Sequence, residues 1–348
     1  MKMKTKPKTV RISIIGFGNV GGGVAEVIRR KREEIAIKYG LDIKVVGIAD
    51  LKGIIVNENG LSEEDIMKLK TGKKPEDMTT PAVIKEVEHE VVVETTPTNV
   101  ENGEPGLRHI ITALESGRHV VTSNKGPLAL QYKRLMELAA KKGKEIRFEA
   151  SVGGAMPIIS LVRENLAGNG IISIKGILNG TCNYILTRMV EEGLPYEHVL
   201  KEAQERGIAE ADPSKDVEGT DTAVKLVILA NSVFGRDVTY KDVDVAGITD
   251  ITPEALKLAN DAGYVIKLIG EVDRDECLKV APRLVPKDDP LNVGGTLNVA
   301  TIKTDLAGDI TVIGKGAGPI EAASAILSDI VGIYSGTTRT GQGNLAGY

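Results

Sequence analysis

The sequence predicts an α/β protein, a doubly wound parallel sheet followed by a second, α+β domain. Three observations predict it. Short apolar runs near the N-terminus alternate with stretches of helical spacing, and glycines cluster where those runs end. Beyond residue 152 the rhythm changes to longer strands and successive helices. A length of 348 residues favours more than one domain, and the expected segments are 1–152, 153–309 and 310–348.

Residues 10–15 form an Ile-rich run, and residues 20–30 switch to helical spacing with Val20, Val24, Val27 and Ile28. A second strand covers 43–49 and ends in Asp50; a third, 91–93, is stopped by Glu94-Thr95-Thr96-Pro97. Residues 106–116 read as a helix leading into a strand at 119–121, followed by a helix over 128–141 and a strand at 146–148. Strands alternating with helices imply right-handed crossovers and a parallel sheet covered on both faces. In the second domain, 171–178, 278–285 and 297–303 read as strands, and 182–192, 196–206, 220–234 and 253–262 as helices. At the end come a strand (310–313), a glycine turn (314–318) and a helix (319–331) with Ile320, Ala323, Ile326, Leu327 and Ile330 on its apolar side. That order repeats the style of the first domain, so residues 310–348 are expected to return to it.

Composition excludes several classes. With 44 basic and 48 acidic side chains the net charge is −4, without the basic excess of a nucleic-acid binder. No apolar run approaches the roughly 18 residues needed to cross a bilayer, so no membrane partner is expected and the protein should be soluble. Cys182 and Cys277 are too few for a disulfide framework or a four-cysteine zinc site. Lys2, Lys4, Lys6 and Lys8 precede no apolar core and are read as a frayed tail, not a secretory signal, in a protein of the reducing cytoplasm.

Gly16-Phe17-Gly18-Asn19-Val20-Gly21 is a G-x-G-x-x-G turn between a strand and a helix. Gly16 permits the tight turn, Gly18 lets the backbone approach a pyrophosphate, Gly21 lets helix and strand pack closely, and the helix N-terminus favours the anion. In this strand–turn–helix context it reads as the fingerprint of a Rossmann-type domain binding NAD or NADP; the bland alternative is a merely structural glycine turn. Asp50 is placed to accept from a ribose 2′-hydroxyl, although it lies about ten residues farther from the glycines than usual. Lys52 could instead meet a 2′-phosphate, which leaves both nucleotides open.

The segment 207–225 is dense in charge. Asp221 and Lys225 are four apart and share one helix face; the bland alternative is a solvated ion pair. Upstream acids argue for a zwitterionic substrate, with Glu210 and Asp221 holding an ammonium while the lysine handles an oxygen. A hydride acceptor bound by the first domain needs an alcohol carbon beside it and a group to take the hydroxyl proton. Lysine titrates near 10.4 unless burial or a second cation lowers it.

The glycine fingerprint, Ser123-Asn124-Lys125, Glu149-Ala150-Ser151-Val152-Gly153-Gly154, Asn179-Gly180-Thr181 and the 210–225 segment, in this order, resemble homoserine dehydrogenase over nearly the whole chain, from about Val10 to Leu345. The resemblance implies reversible hydride transfer between L-homoserine and L-aspartate 4-semialdehyde, a small amino-acid substrate. It makes Lys225 the proton donor and acceptor, puts Lys125 where it touches both nicotinamide and substrate oxygen, and gives the amino acid to Asp221 and Glu210, with Gly180 and Thr181 in the substrate loop. Thr95, Thr96 and Ser123 fall at cofactor contacts, Gly207 lies next to the cofactor, and Gly316-Ala317-Gly318 matches a segment that closes over it. Glu149 with the carbonyls of Val152, Gly154 and Met156 matches a site for a monovalent cation such as sodium. The resemblance also implies a homodimer built on the 153–309 domain. Lys215 departs from the family, which often carries an acid or neutral residue there.

Two rival functions remain. Acylating oxidation of a semialdehyde would need Cys182 as thiolate, and a nucleotide sensor without catalysis would keep only the first domain's chemistry. His89, His109, His119 and His198 belong to no recognisable constellation and are read as structural.

Overall fold

The computed structural model describes residues 6–70 and 78–338. The chain divides into two compact units, one comprising residues up to 127, 134–150 and from 318 onward, the other 128–133 and 151–317.

The first unit contains a six-stranded sheet: β1 (Lys8–Ile15), β2 (Leu41–Asp50), β3 (Gly53–Val56), β4 (Val91–Glu94), β5 (His119–Thr122) and β6 (Ile146–Arg147), in the order β3-β2-β1-β4-β5-β6. All neighbours are parallel except the β2–β3 hairpin. Strand order reverses beside β1, which pairs with β2 on one side and β4 on the other. That switch point opens a crevice at the carboxyl ends of β1 and β4, where α/β sheets bind nucleotides. Ile12, Ile14, Val91 and Val93 are fully buried because helices cover both faces. The helix Pro319–Thr338 packs Ala323, Ile326 and Ile330 into the same core as Val24 and Ile28 of the helix Asn19–Tyr39. A Cβ on Gly23 would stand 2.5 Å from the Pro319 carbonyl oxygen, so only glycine lets these two helices come so close.

The second unit carries another six-stranded sheet: β7 (Ile171–Ile177), β8 (Asp244–Val245), β9 (Tyr264–Asp273), β10 (Leu278–Pro286), β11 (Leu297–Thr304) and β12 (Asp309–Lys315), in the order β12-β11-β7-β9-β10-β8. It is antiparallel except for β10–β8. Ile177, Ile269, Val285, Leu291 and Val299 form a core on this sheet. Lys267, 4% exposed, stands on β9 among these apolar residues and donates to Asn183 Oδ1 (2.9 Å), Thr187 Oγ1 (3.3 Å) and the Val293 carbonyl (2.7 Å).

The fold class read from the sequence is the one observed. Several elements differ. The strand expected at 310–313 does not return to the first unit: β12 pairs with β11 over Leu297↔Lys315 to Lys303↔Asp309, and the division falls at Gly318, so only the helix returns. β3, β9 and the helices Glu63–Lys70 and Thr80–Glu86 were not anticipated. Of the expected N-terminal tail, Lys2 and Lys4 lie outside the described residues, and Lys8 opens β1. Among the described residues no helix is long and apolar enough to cross a membrane.

Candidate active site

In the first unit the glycine turn connects β1 to the helix Asn19–Tyr39. Gly16 has φ +89, and a Cβ there would meet the Thr95 backbone at 2.8 Å; Gly21 would drive its Cβ to 2.1 Å from the Gly16 carbonyl oxygen. Gly18 is different: nothing lies within 4 Å of its Cβ position, which leaves open space for a pyrophosphate at the helix N-terminus. Asn19 is exposed beside it, while Phe17 and Val20 turn their side chains onto the core. Asp50 ends β2, and its Oδ2 accepts from the Phe17 amide (2.7 Å) while Oδ1 accepts from the Lys52 amide (3.1 Å). The long spacing between the glycines and Asp50 follows from a 21-residue helix and a ten-residue strand. Lys52 is exposed next to it.

The opposite side of the crevice is built by β4 and β5. Thr95 Oγ1 donates to the Gly16 carbonyl (2.7 Å), which ties the two loops together. Thr96 donates through its amide to Glu94 Oε1 (3.1 Å), and the Ser123 amide donates to the Glu94 carbonyl (3.2 Å). Asn124 caps the helix Lys125–Lys141, its side chain accepting from the Gly126 amide (3.1 Å), so Lys125 is the first residue of that helix, three residues earlier than the sequence suggests.

In the second unit the helix Thr220–Val233 carries Asp221 in its first turn and Lys225 one turn later, with Lys225 only 8% exposed. Lys225 Nζ donates to Asp221 Oδ2 (2.7 Å) and to the Leu178 carbonyl (2.6 Å). An ammonium has three donors, and one remains unspent among the described residues. Asn179, N-cap of the helix Gly180–Glu192, donates through Nδ2 to Asp216 Oδ1 (2.7 Å) and Asp221 Oδ2 (3.2 Å) while its Oδ1 accepts from the Cys182 amide (2.9 Å). Burial and the neighbouring Asp221 carboxylate push the Asp216 carboxyl above the ordinary aspartate range.

Asn179, Asp216, Asp221 and Lys225 thus form one bonded cluster beside the start of the helix that carries Gly180 and Thr181. Thr181 Oγ1 donates to the Ile208 carbonyl (3.2 Å). Glu210 is outside the cluster, exposed on the loop before Asp212. Gly207 follows the helix Tyr196–Glu205 with φ +69 and open space around its Cβ position. The bland surface ion pair does not survive, because both partners are largely buried. Sequence reasoning assigned no role to Asn179, Asp216 or the Leu178 carbonyl; the signal for the first two was a capping residue and an acid on segments already singled out.

Cys182 is fully buried, and its Sγ donates to the Asp216 carbonyl (3.1 Å). Burial and the charges of Asp216 and Asp221 push its thiol well up, the opposite of an activated nucleophile. The acylating reading therefore fails.

Gly316 is wedged between two residues of its own unit. A Cβ on Gly154 would sit 2.4 Å from the Gly316 carbonyl oxygen, and one on Gly316 would sit 1.9 Å from Asn298 Nδ2. Ala317 is exposed, and Gly318, with φ +135, opens the helical return to the first unit. Glu149 is buried in the first unit, its amide donating to Asp329 Oδ2 (2.8 Å). Val152, Gly154 and Met156 are buried in the second. Among the described residues no three His, Cys, Asp or Glu side chains lie together as a metal cluster.

Two family models match: the homoserine dehydrogenase NAD-binding domain over residues 16–149 and homoserine dehydrogenase over 157–331. The homoserine dehydrogenase of Methanocaldococcus jannaschii is 56% identical over 94% of this chain and 99% of its own. The chain belongs to the homoserine dehydrogenase family. The crystal structure of a putative homoserine dehydrogenase from Archaeoglobus fulgidus matches with a TM-score of 0.87 and 52% identity, covering 93% of this chain and 99% of that one. A hyperthermophilic archaeal homoserine dehydrogenase mutant in complex with NADPH matches at a TM-score of 0.81 and 31% identity, over 95% and 98% of the two chains. As a homoserine dehydrogenase the protein is an NAD(P)-dependent oxidoreductase acting on the alcohol of a small amino acid, interconverting L-homoserine and L-aspartate 4-semialdehyde. The non-catalytic sensor reading falls with that assignment.

Proposed function

We propose that Lys225 exchanges the proton in this reaction. The observation that carries the reading is its unspent third N–H: Asp221 and the Leu178 carbonyl fix two donors and aim the amine, leaving one for the substrate oxygen. The bound nicotinamide supplies or accepts the hydride at the substrate carbon. In the reducing direction Lys225 donates a proton to the oxygen as it becomes an alkoxide, and in the oxidising direction the neutral amine takes it back. Asp221 both orients Lys225 and, with Glu210, holds the substrate ammonium, while Gly180 and Thr181 receive its carboxylate at a helix N-terminus. Lys125, the first residue of its helix in the first unit, touches the nicotinamide at its reacting ring. Turnover of Lys225→Ala with homoserine tests this assignment.

Residues 16–21, Thr95, Thr96 and Ser123 hold the dinucleotide in the first unit. Support comes from the open space at Gly18 and from the helix N-terminus beneath it. Asp50 and Lys52 oppose each other in charge at the ribose position, so either NAD or NADP is accommodated, and Lys52→Ala should weaken NADPH selectively in calorimetry. The carbonyls of Val152, Gly154 and Met156, buried residues of the second unit, suit a monovalent cation such as sodium, because hard oxygen donors in buried positions replace its hydration. Exchange of sodium for a bulky organic cation should then lower activity. A homodimer in the cytoplasm is supported by two unpaired cysteines and by Leu284 (61% exposed) and Ile313 (54%) on strands of the second sheet; sedimentation at the working concentration decides the dimer.

A further inference from the structure

Glu94 is fully buried at the carboxyl end of β4, where the sequence suggested only the end of a strand. Its Oε1 accepts from the Thr96 amide (3.1 Å) and from Thr96 Oγ1 in a short bond; the single Thr122 hydroxyl proton is shared between the Glu94 backbone carbonyl (2.9 Å) and Oε2 (3.2 Å). Asn124 closes the circuit on the other side, with Nδ2 donating to Thr96 Oγ1 (3.2 Å) and its amide donating to Thr122 Oγ1 (3.0 Å). The result is a ring of four residues, Glu94–Thr96–Asn124–Thr122. A carboxylate only accepts, so the Thr96 hydroxyl points its proton at Oε1 and accepts from Asn124 Nδ2, while Thr122 Oγ1 accepts from the Asn124 amide and divides its proton between the Glu94 carbonyl and Oε2. Gly106 seals the ring: a Cβ there would stand 2.5 Å from Asn124 Nδ2 and 3.2 Å from Glu94 Oε2. His109, also buried, brings Nδ1 to 3.6 Å from Glu94 Oε1.

Each member of the ring adjoins a segment with work to do. Thr96 follows Thr95, whose hydroxyl holds the glycine turn at the Gly16 carbonyl (2.7 Å). Asn124 caps the helix whose first residue is Lys125, and the Lys125 amide leans on Thr98 Oγ1 (3.4 Å). We propose that Glu94 is a positioning residue for hydride transfer: its carboxylate sets the direction of the Thr96–Asn124–Thr122 ring and thereby fixes the glycine turn and the start of the Lys125 helix in one mutual arrangement. The proposal rests on the reading of Lys125 as a group that touches the reacting atoms. A purely structural carboxylate would stabilise the fold without any such link.

Glu94→Gln keeps the shape and reverses one bond, since the new amide nitrogen must donate where the carboxylate accepted. With the amide oxygen kept at the Thr96 side, the nitrogen faces Thr122 Oγ1, whose proton then goes wholly to the backbone carbonyl of residue 94, so the Thr122 limb of the ring reverses and its hold on the Asn124 segment changes. The expected result in the full-length enzyme is a kcat for homoserine oxidation lowered about 10- to 100-fold, the scale of a small misplacement in a preorganised site, with homoserine KM within about threefold. In the Lys125→Ala background the same substitution should cost no more than about twofold further, because the group being positioned is gone. Thr122→Val, which removes one inward donor, should repeat the pattern at smaller size and serves if Glu94→Gln fails to fold. Ser13→Ala is the control for burial alone: it breaks the Ser13–His89 hydrogen bond (3.1 Å) elsewhere in the same sheet and should lower Tm while leaving kcat unchanged. Wild-type kcat in both folded ring variants overturns the proposal, and so does a full multiplicative loss in the Lys125→Ala background. If Lys125→Ala alone turns over normally, the reading of Lys125 fails first, and a slow Glu94→Gln enzyme then overturns the route through it.

Discussion

The second unit contains two buried lysines, Lys225 at 8% and Lys267 at 4% exposure, and they are built in opposite ways. Lys225 faces a carboxylate, Asp221, and spends its second donor on the Leu178 carbonyl. Lys267 spends all three donors on neutral oxygens, from Asn183, Thr187 and Val293. Burial without a paired charge pushes the Lys267 amine down to about 8, a value that would suit an acid–base catalyst. Yet it has no N–H left to offer, and its acceptors tie the loop before β11 to the helix Gly180–Glu192. The difference teaches that a shifted pKa and a spare donor are separate properties of a buried lysine: Lys267 has the first without the second, and the role proposed for Lys225 rests on the second.

Substitution at Lys225 should break the comparison most visibly. Lys225→Arg keeps the charge and the Asp221 pair but cannot accept a proton at working pH, so kcat should fall about 10²-fold or more in steady-state assays while cofactor affinity stays within about twofold. Lys267→Ala should do the reverse. It takes the lysine donor from Asn183 Oδ1 and Thr187 Oγ1, the Val293 carbonyl keeping Asn183 Nδ2 (3.2 Å), and opens a void, costing about 2–4 kcal/mol in urea unfolding, with kcat within about twofold in the folded enzyme.

The Lys267 amine also makes a pH prediction with a definite sign. Its native value near 8 lies below the ordinary value of 10.5, so between these limits the unfolded chain binds more protons than the native one. Unfolding free energy should therefore rise from pH 8 toward pH 10.5, by up to about 3 kcal/mol from this group. The cost of burying its charge is complete below pH 8. The rise should be missing from Lys267→Met, compared with wild type in the same titration.

Cys182→Ser gives the smallest effect. The hydroxyl can donate to the Asp216 carbonyl as the thiol does, so turnover should stay within about twofold; loss of hydride transfer in a folded variant would restore the thiol to the chemistry.

Much of this contrast was legible before the fold was known, and the reasons for the gaps are physical. Asp221 and Lys225 could be read because helix periodicity places residues four apart on one face. The glycine turn could be read because each glycine answers a separate steric demand, at the Thr95 backbone, the open pyrophosphate side and the Gly16 carbonyl. β9 could not: Lys267 interrupts its apolar run, and Gly270 weakens it as a strand, although a Cβ there would press on Thr222 Cγ2 at 2.9 Å. Residues 310–313 were read as a strand, but pairing partners depend on contacts far apart in sequence, and β12 joined β11 in the second sheet. Glu94 looked like punctuation because nothing in Glu-Thr-Thr-Pro says that the carboxylate points inward. Asn179 and Asp216 joined the lysine cluster through tertiary contacts between segments 37 residues apart.

The most direct test of the spare-donor assignment is the single-turnover rate of hydride transfer, followed by nicotinamide absorbance at saturating homoserine, in folded Lys225→Ala and Lys267→Ala proteins side by side. If Lys225 carries the proton, its variant slows about 10²- to 10⁴-fold and the Lys267 variant matches wild type. A Lys225→Ala enzyme that transfers hydride at the wild-type rate would contradict the assignment, as would equal slowing in both.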